Sequence, residues 1–261
     1  MPTQLNLQQI FTWLIEDGIV IKEDAKAAYN HARGVLKSGP ESMHPLTALA
    51  QTKLSSALKS KHLLTLDWLT EWAAKKSNTP YYRIDPLKID FTKVADVMSS
   101  TYATRFNILP VDSTQHSVII ATTDPFHNPW LEEIARLSQK EIQLVLANPL
   151  DISQYTAQFF SLAKSIKDAK KANGNDVALR NNFEQLVELG KSNKQVDAND
   201  QHVINIVDWL WQFAFDQRAS DIHLEPKRDM AAIRFRIDGV LHQVYQVPAI
   251  VMIAMTARIK L

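Results

Sequence analysis

RASDIHLEPKRDMAAIRFRIDGVLHQVYQV, Arg218 to Val247, is the stretch whose reading decides the architecture. Successive side chains of a strand point to opposite faces. Ile222 and Leu224 therefore share one face, and Asp221, His223 and Glu225 the other. In the next run Ile233, Phe235 and Ile237 stand opposite Arg234, Arg236 and Asp238. Asp238-Gly239 is a strong signal for a two-residue hairpin turn, and VLHQVYQV (240–247) supplies a third strand. Placing both apolar faces on one side gathers the polar residues on the other. One register that does so sets Asp221 across from Arg236 and His223 across from Arg234. Exposed cross-strand charge pairs contribute only about 0.2–1 kcal/mol, so a purely structural role, holding the hairpin, is the alternative for these residues.

Working outward, QHVINIVDWLWQFAFDQ (201–217) precedes the strands. VDAND supplies its N-cap residues, and Val203, Ile206, Val207, Leu210, Phe213 and Ala214 form a buried stripe. Trp209, Trp211 and Phe215 widen the apolar surface, which predicts a helix covered on more than one side. PAIVMIAMTARIKL (248–261) predicts a closing helix, so 200–261 reads as a small α+β domain with a three-stranded antiparallel sheet flanked by helices. Upstream, SLAKSIKDAKKANGNDVALRNN (161–182) is polar and Lys-rich and reads as a helix tail entering a mobile linker. A short helix, FEQLVELG (183–190), follows it, and the linker is placed at 161–199.

Residues 1–160 form the other domain, helical and then mixed α/β. Leu7, Ile10, Phe11, Leu14 and Ile15 share one helical face, with Gly18 as the stop. Tyr29, Ala32 and Leu36 predict a second helix, Leu49, Leu54 and Leu58 a third, and Leu64, Trp68 and Trp72 a fourth. YYRIDPLKID is extended or turning, and VADVMSSTYATRF (94–106) reads as one helix. NILPVD and HSVIIATTD are strands, NPWLEEIARLSQ a helix, EIQLVLAN a strand and PLDISQYTAQFF a helix. The fold class is α+β.

Composition excludes several function classes. A net charge of +1 exerts no global pull toward nucleic acid or an acidic membrane. The absence of cysteine removes disulfides, a thiol nucleophile and Cys-ligated zinc. No run approaches the roughly 18 apolar residues that span a bilayer, and the N-terminus lacks a secretion-signal pattern. These features predict a cytoplasmic chain with no membrane insertion, no nucleic-acid partner and no metal site. GVLKSGPE carries Gly34 and Gly39 at phosphate-loop spacing, but Pro40 and Glu41 stand where Lys and Ser/Thr are needed. ELGKS has Gly190, Lys191 and Ser192, but Gln185 replaces the first glycine, and Gly190 reads as a helix C-terminal glycine. HLE (223–225) is half of a zinc-deaminase signature whose other half needs cysteines. No catalytic residue is assigned.

ASDIHLEP, RFRIDGVL and ARIKL, with DANDQHVINIVDWLWQFAFDQRASDIH before them, resemble the type II secretion and type IV pilus assembly ATPase family (GspE/PulE/PilB-like). YYRIDPLKID, FNILPVD, IIATTDPF and LVLANPLDISQY resemble that family's first N-terminal domain. The resemblance covers most of the chain and is weakest before about residue 80. Family members continue into a RecA-like motor domain with Walker A, Asp-rich, Walker B and His boxes. This sequence ends about where that domain begins, so it is expected to be a fragment or truncated product, inactive alone, with ATP and Mg bound only alongside the motor domain.

The resemblance implies a cytoplasmic homo-hexamer, peripheral to the inner membrane through partners, with residues 1–160 docked on an inner-membrane or cytoplasmic secretion or pilus platform protein. It also implies that Arg236 first, Arg234 second and Arg218 more weakly contact nucleotide phosphate, as arginine fingers do. Asp221, His223, Glu225 and Asp238 would orient them, and Gly239 would permit the turn. The alternative function is a stand-alone adaptor or cyclic-dinucleotide-binding module. WLIEDGIVIKEDAKAAY is similar to the start of a cyclic di-GMP motif, without its Arg-Leu-Gly opening.

Overall fold

The computed structural model describes residues 4–40, 43–58, 62–171 and 198–261. The expected helix over 183–190, the cap at Gly190 and the centre of the linker lie outside the described residues. The chain divides into two compact units, Met1–Gln158 and Phe159–Leu261. Among the described residues it is α+β, with ten helices and two three-stranded sheets.

The first unit opens with α1 (Leu7–Glu16), α2 (Lys22–Ser38), α3 (Pro45–Gln51) and α4 (Leu66–Ser77). Ile10, Phe11 and Leu14 of α1 are buried in one core with Ala32, Leu49, Leu69 and Trp72. Gly18 ends α1 as the sequence predicts. Its φ is +66°, and its N–H bonds Ile15 O while that of Ile19 bonds Leu14 O, both at 3.0 Å, the paired bonds of a left-handed C-terminal cap. The third helix departs from expectation. It stops at Gln51, and Leu54 and Leu58 lie beyond it, Leu58 exposed. Leu64 also precedes its helix: Thr65 is the N-cap, its hydroxyl accepting from Trp68 N, and Leu64 and Leu69 are both buried on either side of the cap.

The helix predicted over 94–106 is two helices, α5 (Phe91–Ala95) and α6 (Ser100–Phe106). The cause is local: the Ser99 hydroxyl accepts from Tyr102 N at 3.2 Å and starts a new helix. Then follow β1 (Ile108–Ser113), β2 (Ser117–Thr122), α7 (Leu131–Ser138), β3 (Glu141–Leu146) and α8 (Pro149–Lys171). β1 pairs antiparallel with β2, and β2 parallel with β3. Pro110 lies on the edge strand β1, where a missing N–H is tolerated. Val118 and Ile120 pack with Trp130 and Ile134. α8 continues to Lys171, so the start of the 161–199 segment is helical.

The second unit carries α9 (Gln201–Asp216), β4 (Asp221–Glu225), β5 (Met230–Ile237), β6 (Val240–Pro248) and α10 (Ala249–Lys260). The sheet order is β4-β5-β6, antiparallel throughout. The predicted stripe of α9 is buried in full, and Phe213 meets Phe235 with ring centroids 5.6 Å apart. Of the residues that widen its apolar surface, Trp209 is partly buried and stacks on Phe213, whereas Trp211 and Phe215 are 45% and 74% exposed.

Candidate functional site

The register of β4 on β5 pairs Asp221 with Arg236, Ile222 with Phe235, His223 with Arg234 and Glu225 with Ala232. This is the register that keeps the apolar faces together. Ile233 and Phe235 are 1% and 0% exposed, and they anchor the strand so that Arg234 and Arg236 must point the other way. Asp238 and Gly239 both have positive φ, 49° and 81°, as a type I′ turn requires.

Arg236 is held at three points. Its Nε donates to Asp221 Oδ2 at 3.1 Å, Nη1 to the Gly239 carbonyl at 3.3 Å, and Nη2 lies 3.4 Å from His223 Nε2. Ser220 completes the frame: its hydroxyl is 2.9 Å from Asp221 Oδ2, and its N–H bonds Arg236 O at 2.9 Å. Arg234 has a looser hold, one ion pair with Glu225 at 3.4 Å. The side chains of both pairs are about a third to a half exposed, so each contributes at most about 1 kcal/mol to stability.

Three of the five guanidinium N–H groups of Arg236 are thus engaged, and two remain for an outside acceptor. A guanidinium ordered in this way matches the oxygens of a phosphate or carboxylate. Among the described residues no group of three His, Asp or Glu side chains is placed to hold a metal ion.

Asp221, His223, Glu225, Arg234, Arg236 and Gly239 come together. Arg218 and Asp238 do not join them: neither side chain has an ion pair among the described residues. Arg218 instead ends α9 at φ +54°. Its N–H bonds Phe215 O, and that of Ala219 bonds Ala214 O, the cap position that favours glycine. Sequence reasoning missed two participants. Ser220 was legible as a hydroxyl adjoining Asp221, whereas the Gly239 carbonyl leaves no side-chain signal.

Residues 77–166 match the family model of the MshEN domain, and residues 196–261 that of the type II/IV secretion system protein. A type IV pilus assembly ATPase of Acinetobacter baylyi, TfpB, is 39% identical over 221 residues, covering 84% of this chain and 37% of that protein. PilB of Myxococcus xanthus, also a type IV pilus assembly ATPase, is 25% identical over 80% of this chain and 36% of its own length. The type II secretion system protein E of Xanthomonas campestris is 25% identical over 63% of this chain and 28% of its own length. The chain therefore spans about a third of the length of the curated relatives it matches.

Proposed function

We propose that this chain, which belongs to the type II secretion and type IV pilus assembly ATPase family, is the docking and regulatory part of such an ATPase. In this reading Arg236, with Arg234 beside it, contacts nucleotide phosphate bound by a motor domain of the same subunit. Residues 1–160 dock on a platform protein at the inner membrane, 161–199 link the domains, and 200–261 present the arginines within a homo-hexamer. ATP and Mg belong to the motor domain.

The observation that carries the reading is Arg236 itself. Its guanidinium is fixed by Asp221, Gly239 and His223 on the sheet face away from the core, with two N–H groups uncommitted. Charge that builds on a transferring phosphoryl group is stabilised by a donor set already in place. Such an arginine is worth roughly 10³-fold or more in rate, against about 1 kcal/mol for an exposed ion pair.

The test is a chimera in which this chain replaces the matched 221 residues of the Acinetobacter relative, an ATPase by name. Arg236→Ala should cut steady-state turnover by at least about a hundredfold with the thermal midpoint nearly unchanged. Arg236→Lys should restore only part, because an ammonium lacks the planar fork. A midpoint several degrees lower with unchanged turnover per folded molecule would make Arg236 structural.

A further inference from the structure

We infer that His223 is a positioning residue for Arg236, held as the neutral imidazole with its proton on Nδ1, so that Nε2 accepts from the guanidinium. The consequence for phosphate contact rests on the function proposed above; the tautomer does not.

The assignment follows from what each partner can do. A guanidinium has only donors. The atom of His223 that meets Arg236 Nη2, at 3.4 Å, is Nε2. A bond between them requires Nε2 to carry a lone pair, which leaves the proton on Nδ1 and the ring neutral. The charged groups facing His223 are Asp221 and Glu225 on its own strand and Arg234 and Arg236 on β5. They number two of each sign, so their net charge does not select a protonation state, whereas the bond to Nη2 does.

The three holds on Arg236 come one to each guanidinium nitrogen and from three places: Asp221 near the start of β4, Gly239 in the turn and His223 at the middle of β4. Asp221 and Gly239 hold Nε and Nη1, and among the described residues His223 alone lies against Nη2. His223 therefore braces the third nitrogen of a planar group whose other two are held by oxygens, limiting how far its free N–H groups swing. Protonating Nε2 would set N–H against N–H and place a third positive charge beside two arginines.

The tautomer can be read on the chain itself, from two-bond ¹H–¹⁵N correlations of the imidazole rings. The expected pattern for His223 is the Nδ1–H form, changing in Arg236→Met to a mixture of both tautomers. An Nε2–H pattern in the unaltered chain, or a pattern indifferent to Arg236→Met, overturns the inference. In the chimera, His223→Leu should lower turnover by about tenfold through misalignment without moving the thermal midpoint. His223→Gln, whose amide oxygen reaches near the Nε2 position, should retain a larger share. Equal losses in the two variants count against positioning. If the tautomer is as expected and Arg236→Ala leaves turnover unchanged, the phosphate reading fails and the positioning of Arg236 stands.

Discussion

Arg236 and His44 show two ways in which one side chain is controlled by its surroundings. Arg236 keeps its charge and is steered by acceptors. His44 is steered toward neutrality. It caps α3, its Nδ1 accepting from Leu46 N at 3.2 Å, and burial pushes its pKa down to about 4, against the opposing pull of the Asp124 carboxylate and a backbone bond to Thr123. The folded state then disfavours a proton that the unfolded chain accepts near 6.5. His44 thus contributes stability that is fully present above pH 6.5 and is lost as pH falls toward 4, on the order of 1–3 kcal/mol. Denaturant unfolding of the first unit between pH 7 and pH 4 should show this loss. His44→Asn, which keeps a capping oxygen, should flatten that part of the curve; an unchanged slope would remove His44 as its source.

Helix α9 divides its aromatic residues between two fates. Phe213 is 2% exposed, stacks on Trp209 and meets Phe235 at a tilt, whereas Phe215, two residues on, is 74% exposed. A step of two residues turns a helix by about 200°, enough to move a ring from the core to solvent. Phe213→Ala should therefore cost about 3–5 kcal/mol, and Phe215→Ser should change stability by less than about 0.5 kcal/mol. Thermal melts of the two variants check this directly. A large loss from Phe215→Ser would mean that the ring is covered in solution. The same reasoning explains α5 and α6: apolar spacing runs through 94–106, but a serine hydroxyl at Ser99 restarts the helix.

At the scale of the whole molecule, the donors suited to a phosphate lie on one strand, β5. Neither the Gly34/Gly39 pair nor the Gly190-Lys191-Ser192 run makes a complete phosphate loop. Gly34 lies inside α2, and Gly39 ends it. A Cβ on Gly39 would meet Val35 O at 2.9 Å and Met43 Cε at 2.8 Å, which accounts for glycine there without any ligand. Among the described residues no helix is long and apolar enough to cross a membrane. The isolated chain should accordingly show no ATP hydrolysis above background. Turnover that survives stringent purification and is abolished by a substitution within these residues would overturn that expectation.

What the sequence determined by itself is the local part. Period-two alternation over 221–225 and 233–237, with Asp238-Gly239, specifies the pairing of β4 on β5 and the face on which Arg234 and Arg236 lie, because a shift of one residue would bury the charges. The stripe Val203 to Ala214 was legible for the same reason. The tertiary structure alone decided which apolar residues are covered. Trp211 and Leu58 carry the same local hydrophobic signal as their buried neighbours, and exposure depends on what packs against them from elsewhere in the chain. It also decided the three-point hold on Arg236. Charge pairing across the strands could be anticipated from parity, but the direction of the Gly239 carbonyl and the imidazole nitrogen turned toward Nη2 are set by backbone and ring orientation, which residue identity does not encode.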